Sequence, residues 1–354
     1  MPKPSLLRPH LVAALFAVVA AGATICPAAL AAPQSPAPHQ LGASSDALQE
    51  RLEALARRAA PGQLGLAVFD PTSGKHWAVD ADVPFIMMSV FKAPVAAVVL
   101  SRIEAGQITL DQEVTLTRAD VVEGSAIPSV GDQVLAGRTR FTVRDLLRAA
   151  VSESDSTAVD ALIHLLGGPH VVADFLARHA IAGMRVDMGE RGVGRVADNL
   201  RDGQAIAPKE TRAQTARRET LGYAALLADP RNRCTPAAAV DFLHKLATNQ
   251  LLAPASSAML IDLMRKQTVP SRLRGGIPAG ADIADKTGTS VTVGGRTAAW
   301  NDMAIMTLAD GRQVYIAAFL KDTAIPKPER ATLFADIARA VAALLPARAA
   351  SSSP

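Results

Sequence analysis

Phe85-Ile86-Met87-Met88-Ser89-Val90-Phe91-Lys92 decides the reading of this chain. The apolar spacing that follows predicts a helix from Ser89 to Ala105, so Ser89 sits at a helix tip with Lys92 three residues on, on the same face. A serine hydroxyl is a poor nucleophile until a neighbour takes its proton. Lys92 can do so only where burial or other cations disfavour its charge. The tip also turns backbone N–H groups outward, so Ser89 N–H can help hold a developing oxyanion. Pro94 falls early in the helix, where a missing N–H costs least.

Two further strings complete a set. Ser154-Asp155-Ser156 lies between helices expected over Thr142–Val151 and Thr157–Leu166, with Thr142 and Thr157 as N-caps and Gly106 and Gly167 as helix stops. Lys286-Thr287-Gly288-Thr289 ends a strand expected over Ala281–Thr289. Gly288 permits close backbone approach. Lys286 and the hydroxyls of Thr287 and Thr289 suit a carboxylate, and Thr289 N–H is the natural second oxyanion donor. A nucleophile, two proton carriers and an anion clamp thus occur in order, with no histidine base.

Together these strings resemble the class A serine β-lactamases and, more distantly, the penicillin-binding proteins. The resemblance runs from about Asp46 to Leu345. It implies that Ser154 relays a proton to the leaving nitrogen, that Asp155 braces its loop, and that a glutamate on a floor loop activates the hydrolytic water. Two glutamates compete for that role. Glu190, in Arg185-Val186-Asp187-Met188-Gly189-Glu190, keeps the family's spacing from Ser154; Glu219 matches only when counted back from Pro236. Glu190 is preferred. Arg272 or Arg296 can offer a guanidinium to a substrate carboxylate, and Arg272 is preferred.

The chain also departs from the family. Ser156 stands where asparagine is usual. Gly124 replaces an aromatic at the pocket edge, which predicts an open entrance. Gly194 replaces the asparagine that helps hold the water. Met188 and Asn232 replace the arginine and aspartate that pin the floor loop, and losing both together leaves no unpaired charge. The loop from Gly192 to Arg233 is longer than usual and basic at Arg212, Arg217 and Arg218, which fits either a remodelled lid or a solvated insertion.

Outward from the motifs, Asp46–Arg58 has helical spacing. Leu64–Phe69 and Lys75–Val79 flank the turn Asp70-Pro71-Thr72-Ser73-Gly74. Pro236–Asn249 reads as a helix. Asn301–Leu308 and Gln313–Leu320 flank Asp310-Gly311, a hairpin signal, and a last helix runs from Pro328 to Leu345. Strands at both ends around a helical middle predict an α+β fold: an antiparallel five-stranded sheet flanked by the terminal helices, beside an all-α subdomain. The expected division is 44–82 with 265–346 for the sheet part and 83–264 for the helical part, including a floor loop at 185–235, with the site in the crevice between them.

Lys3 and Arg8 precede an apolar run, Leu11–Ile25, and the small residues Ala29-Leu30-Ala31, the pattern of a removed export signal spanning 1–31. A flexible leader is expected over 32–43 and a frayed tail over 347–354. A periplasmic or secreted monomer is expected, free of the membrane once the signal is removed. Of the two cysteines only Cys234 would remain, so packing alone must hold the fold. The formal charge of +4 includes Lys3 and Arg8 and does not argue for a nucleic-acid partner. The seven histidines show no zinc spacing, and no metal or cofactor is implied.

The resulting expectation is a serine β-lactamase that hydrolyses its small-molecule lactam through an acyl-enzyme on Ser89. The alternatives are a D-Ala-D-Ala peptidase of the penicillin-binding type and a homologue that acylates and stalls.

Overall fold

A computed structural model describes residues 47–345, apart from 202, 270 and 271. The expected export signal, leader and tail lie outside the described residues. Five long strands, β1 (Gln63–Asp70), β2 (Lys75–Val79), β3 (Asp282–Thr289), β4 (Arg296–Thr307) and β5 (Gln313–Thr323), form an antiparallel sheet in the order β2-β1-β5-β4-β3. The two-residue strand Thr292–Val293 extends it beside β4. The sheet therefore joins both ends of the chain, with β3 at one edge.

Helices cover both faces of this sheet, so its central strands are mainly apolar, with Asn301 and Asp302 the buried polar pair in β4. In β5, Val314, Ile316, Ala318 and Leu320 pack toward the terminal helices Ala47–Arg57 and Lys327–Leu344, beside Leu48, Leu52, Phe334 and Ile337. Tyr315, Ala317 and Phe319 alternate to the other face and join a larger core with Phe85, Val95, Leu146, Leu162 and Phe242. Lys92–Glu104 runs through that second core, with residues Lys92 to Leu100 all buried.

The helices at Val143–Ser152, Ser156–Leu165 and Pro236–Ala247 match their expected positions. Thr142 is the N-cap of the first, accepting from Asp145 N–H at 3.1 Å. The second is capped by Asp155 rather than Thr157: Asp155 Oδ1 accepts from Ala158 N–H at 2.7 Å, and Thr157 Oγ1 instead accepts from Val122 N–H. Gly106 and Gly167 adopt the left-handed conformation just past their helices. The helix expected from Ser89 begins as a 3-10 turn, Met88–Phe91. The stretch expected as a long floor loop is mostly helical, with Glu190–Ala197 followed by Arg212–Ala228. Among the described residues no single helix is long and apolar enough to cross a membrane.

Candidate active site

The turn that carries Ser89 is held from three sides. Phe85–Ile86 pairs with Arg233–Cys234, and Met87 N–H donates to Asn232 O at 3.0 Å. Asn301, buried in β4, donates its amide to Ile86 O at 2.5 Å and to Met87 O at 3.2 Å. Gly288 of β3 lies so close that a Cβ there would overlap Met87 O, which is why the strand needs glycine at this point. Met88 is forced to a φ of 47°, an unfavourable conformation for a side-chain-bearing residue, of the kind that clusters at functional sites. The result presents Ser89, only partly buried, to the cleft.

Six of the expected groups meet there. Glu190 Oε1 lies 2.9 Å from Ser89 Oγ and 2.9 Å from Lys92 Nζ. Lys92, fully buried, also donates to Ser154 O at 2.6 Å and lies 3.4 Å from the hydroxyls of Ser154 and Ser156. Ser154, at a φ of 59°, turns its Oγ to Lys286 Nζ at 3.0 Å. Asp155 points away from the cleft, accepting from Val130 N–H at 2.9 Å and Ala158 N–H; it locks the loop and touches no reacting group. Ser156 N–H donates to Ser125 Oγ at 2.8 Å, and Gly124 leaves the space beside it empty.

Burial, followed by the nearby Lys92 ammonium, holds Lys286 well below the usual lysine range. It can therefore exchange a proton with Ser154 more easily than an exposed lysine would. Among the described residues no cluster of three His, Cys, Asp or Glu side chains is arranged to hold a metal.

On β3, Thr287 and Thr289 have different roles. Gln267 Oε1 accepts from both Thr287 N–H and Thr287 Oγ–H at 3.0 Å, so that hydroxyl is committed inward. Thr287 N–H points off the sheet edge, and N–H direction repeats every second residue along a strand; Thr289 N–H therefore points off the same edge, toward the Ser89 turn that packs against β3. Thr289 is exposed at the strand end. Its Oγ1 accepts from Arg272 Nη2, which leaves its own O–H free to donate into the cleft.

Arg272 itself is buried, with its guanidinium 4.0 Å from the Trp300 ring centre and donating to Gly288 O at 2.8 Å and to Asn301 O. Burial brings it down to about 10, still charged at neutral pH. The Arg272 guanidinium is thus committed to Gly288 O, Asn301 O and Thr289 Oγ1. Arg296 pairs with Asp322 at 2.8 Å.

Glu190 owes its position to Asp160, one turn along the Ser156–Leu165 helix from Ser156. Asp160 accepts from Glu190 N–H at 2.6 Å and Arg191 N–H at 2.9 Å, and burial raises its carboxyl despite those bonds. Asn232 closes the floor loop with an uncharged clasp: its Oδ1 accepts from Asp187 and Met188 N–H, and its Nδ2 donates to Met188 O at 2.8 Å. Glu219 lies exposed on the Arg212–Ala228 helix. Asn301, Asp160 and Gln267 were not singled out from sequence, because each acts on backbone or on another side chain and belongs to no motif.

The model of the Beta-lactamase enzyme family matches residues 47–345. The chain is 30% identical over 307 residues to the extended-spectrum beta-lactamase PER-1 of Pseudomonas aeruginosa, covering 85% of this chain and 88% of that one. It is 30% identical over 284 residues to beta-lactamase L2 of Stenotrophomonas maltophilia, covering 80% and 81%. Among solved structures, a beta-lactamase from Chitinophaga pinensis superposes with a TM-score of 0.69 at 28% identity, over 83% of this chain and 97% of that one. A reconstructed ancestral class A beta-lactamase of Gram-negative bacteria gives 0.67 at 31%, over 83% and 98%.

Proposed function

The chain belongs to the beta-lactamase enzyme family, and on that premise we propose a serine β-lactamase in which Ser89 is the nucleophile and Glu190 serves both halves of the reaction. The observation that carries this reading is the single carboxylate oxygen, Glu190 Oε1, lying 2.9 Å from Ser89 Oγ and 2.9 Å from Lys92 Nζ.

In acylation, Ser89 Oγ attacks the lactam carbonyl carbon while its proton passes to Glu190 Oε1. Lys92 Nζ, 2.9 Å from the same oxygen, can pass that proton on. Ser89 N–H and Thr289 N–H receive the oxyanion. The carbonyl–nitrogen bond then breaks, and the nitrogen takes a proton from Ser154 Oγ, which Lys286 at 3.0 Å replaces. The substrate carboxylate is held by Lys286 and by Thr289 O–H, the latter oriented by Arg272.

Before deacylation the proton on Glu190 returns through Lys92 Nζ, at 2.9 Å, and Ser154 Oγ to Lys286; Glu190 then takes a proton from water as the water oxygen adds to the acyl carbon. The tetrahedral intermediate collapses, and Ser89 regains its proton. Gly194 lies four residues after Glu190 on the same helical face, and a Cβ there would meet nothing within 4 Å; water can approach along that face without a side-chain amide to hold it.

The remaining parts of the proposal are export, from the N-terminal charge and apolar run, and action as a monomer on small lactams.

Mixing purified protein with a chromogenic cephalosporin tests the reading. Many turnovers per enzyme, lost in Ser89→Ala, support it. One stoichiometric burst would mean a homologue that acylates and stalls. No lactam turnover with cleavage of D-Ala-D-Ala peptides would mean a peptidase.

A further inference from the structure

The Arg212–Ala228 helix touches two walls of the cleft through consecutive residues. Gly222 is buried, and a Cβ there would overlap the carbonyl of Ala197, the last residue of the Glu190 helix. Successive helical residues point about 100° apart, so Tyr223 faces elsewhere. Its hydroxyl donates to Asp322 Oδ1 at 2.5 Å. The same oxygen accepts from Arg296 Nε at 2.9 Å, and Arg296 Nη2 donates to Asp322 O at 2.9 Å.

Arg296 opens β4 and pairs with Val293 in the hairpin that continues from Thr289. The helix also packs directly on that hairpin strand. The helix is secured in its second turn and at its C-terminal end. Arg218 pairs with Asp198 at 2.6 Å and Glu210 at 3.0 Å, and Arg233 donates to the carbonyls of Leu226 and Leu227 at the last turn. Burial and the Asp322 carboxylate push the Tyr223 phenol up to about 12, so it remains a donor throughout the neutral range.

We propose that this helix is a spacer between the floor that carries Glu190 and the wall that carries Thr289, and that Tyr223 is a positioning residue selecting lactams by the bulk of their acyl side chain. The proposal rests on the hydrolase reading above. A lactam with its carbonyl on Ser89 and its carboxylate toward Lys286 and Thr289 must send a large ring substituent out past the hairpin. A hairpin tied to the helix meets that substituent already ordered. An untied hairpin must be ordered by the substrate, and that cost falls on binding of the large side chain alone.

The test is Tyr223→Phe, which removes the hydroxyl and keeps the ring. Two cephalosporins with the same nucleus are compared, one with a compact unbranched acyl group and one with a bulky branched group. Loss of one such hydrogen bond predicts a KM for the bulky substrate about fivefold higher, with kcat within twofold. Both constants for the compact substrate stay within twofold. Gly222→Ala, which forces the helix off Ala197, moves the same ratio in the same direction. Thermal midpoints confirm that each variant is folded. Equal changes for both substrates in a folded Tyr223→Phe enzyme, or no change in either, overturn the proposal. Failure of the parent enzyme to hydrolyse either substrate removes the hydrolase reading and the proposal with it.

Discussion

Replacing Glu190 by glutamine separates the two halves of the reaction. Glutamine has nearly the same volume and keeps an oxygen for the Ser89 hydroxyl, now 2.9 Å from Glu190 Oε1. It removes the charge opposite Lys92, which is wholly buried. Lys92 still has Ser154 O at 2.6 Å, but it loses its carboxylate partner. Removing one member of a buried pair costs about 3–5 kcal/mol, so the variant should also be less stable. In acylation the Lys92 amine remains beside residue 190 as a second proton acceptor, so that half should slow less. Deacylation has no such substitute and loses a general base, about 10²- to 10⁴-fold, or roughly 3–5.5 kcal/mol at 1.4 kcal/mol per decade. The variant should therefore trap acyl-enzyme. Stopped-flow with a chromogenic cephalosporin should show a burst equal to the enzyme concentration followed by slow release. Intact-protein mass spectrometry should show an adduct that persists for minutes. Full turnover in Glu190→Gln, or trapping in Glu219→Gln instead, would refute the reasoning. So would loss of activity in a folded Glu190→Gln enzyme with no adduct.

Three further expectations follow from individual contacts. The Lys286 charge needed by a substrate carboxylate is present below its pKa and lost as pH rises through it; because burial and Lys92 lower that pKa, the basic limb of kcat/KM should fall below the ordinary lysine value of about 10.4. Lys286→Arg cannot deprotonate in this range and should move the limb upward; an unmoved limb would assign it to another group. Gly194→Asn fills open space on the Glu190 face and offers water an amide, so single-turnover experiments should show deacylation about fivefold faster, one hydrogen bond's worth. Asn301→Leu strands the Ile86 and Met87 carbonyls at a cost of about 2–3 kcal/mol; calorimetry should show a lower Tm, with kcat falling as the Ser89 turn loosens.

The parts of the fold legible in sequence are those whose cause is local. Thr142 with Asp145 three residues on makes a capping box, and Asp310-Gly311 closes a hairpin with Gly311 at a φ of 83°. Where several residues could do the same job, tertiary contacts chose. Ser154, Asp155, Ser156 and Thr157 can all cap a helix, and Asp155 wins because it also satisfies Val130 N–H. β4 starts at Arg296 rather than Asn301, since its early residues are held by pairing with β5 as far as Thr323, a register that no window of sequence contains.

The Arg212–Ala228 helix shows why an insertion is the hardest element to read. Only Gly222 and Leu226 are buried along it, so it has no apolar stripe to announce a helix. It is held by single polar ties, Tyr223 to Asp322 and Arg218 to Asp198 and Glu210. The same insertion explains the rivalry between Glu190 and Glu219. Counting forward from Ser154 crosses no added residue before Glu190, whereas counting back from Pro236 enters the Arg212–Ala228 helix and stops inside it. Distance along a chain is informative only between points that no insertion separates. The acid that reaches Ser89 is thus the one whose spacing to the preceding motif is intact, and Asp160, six residues after Ser154, fixes its backbone in place.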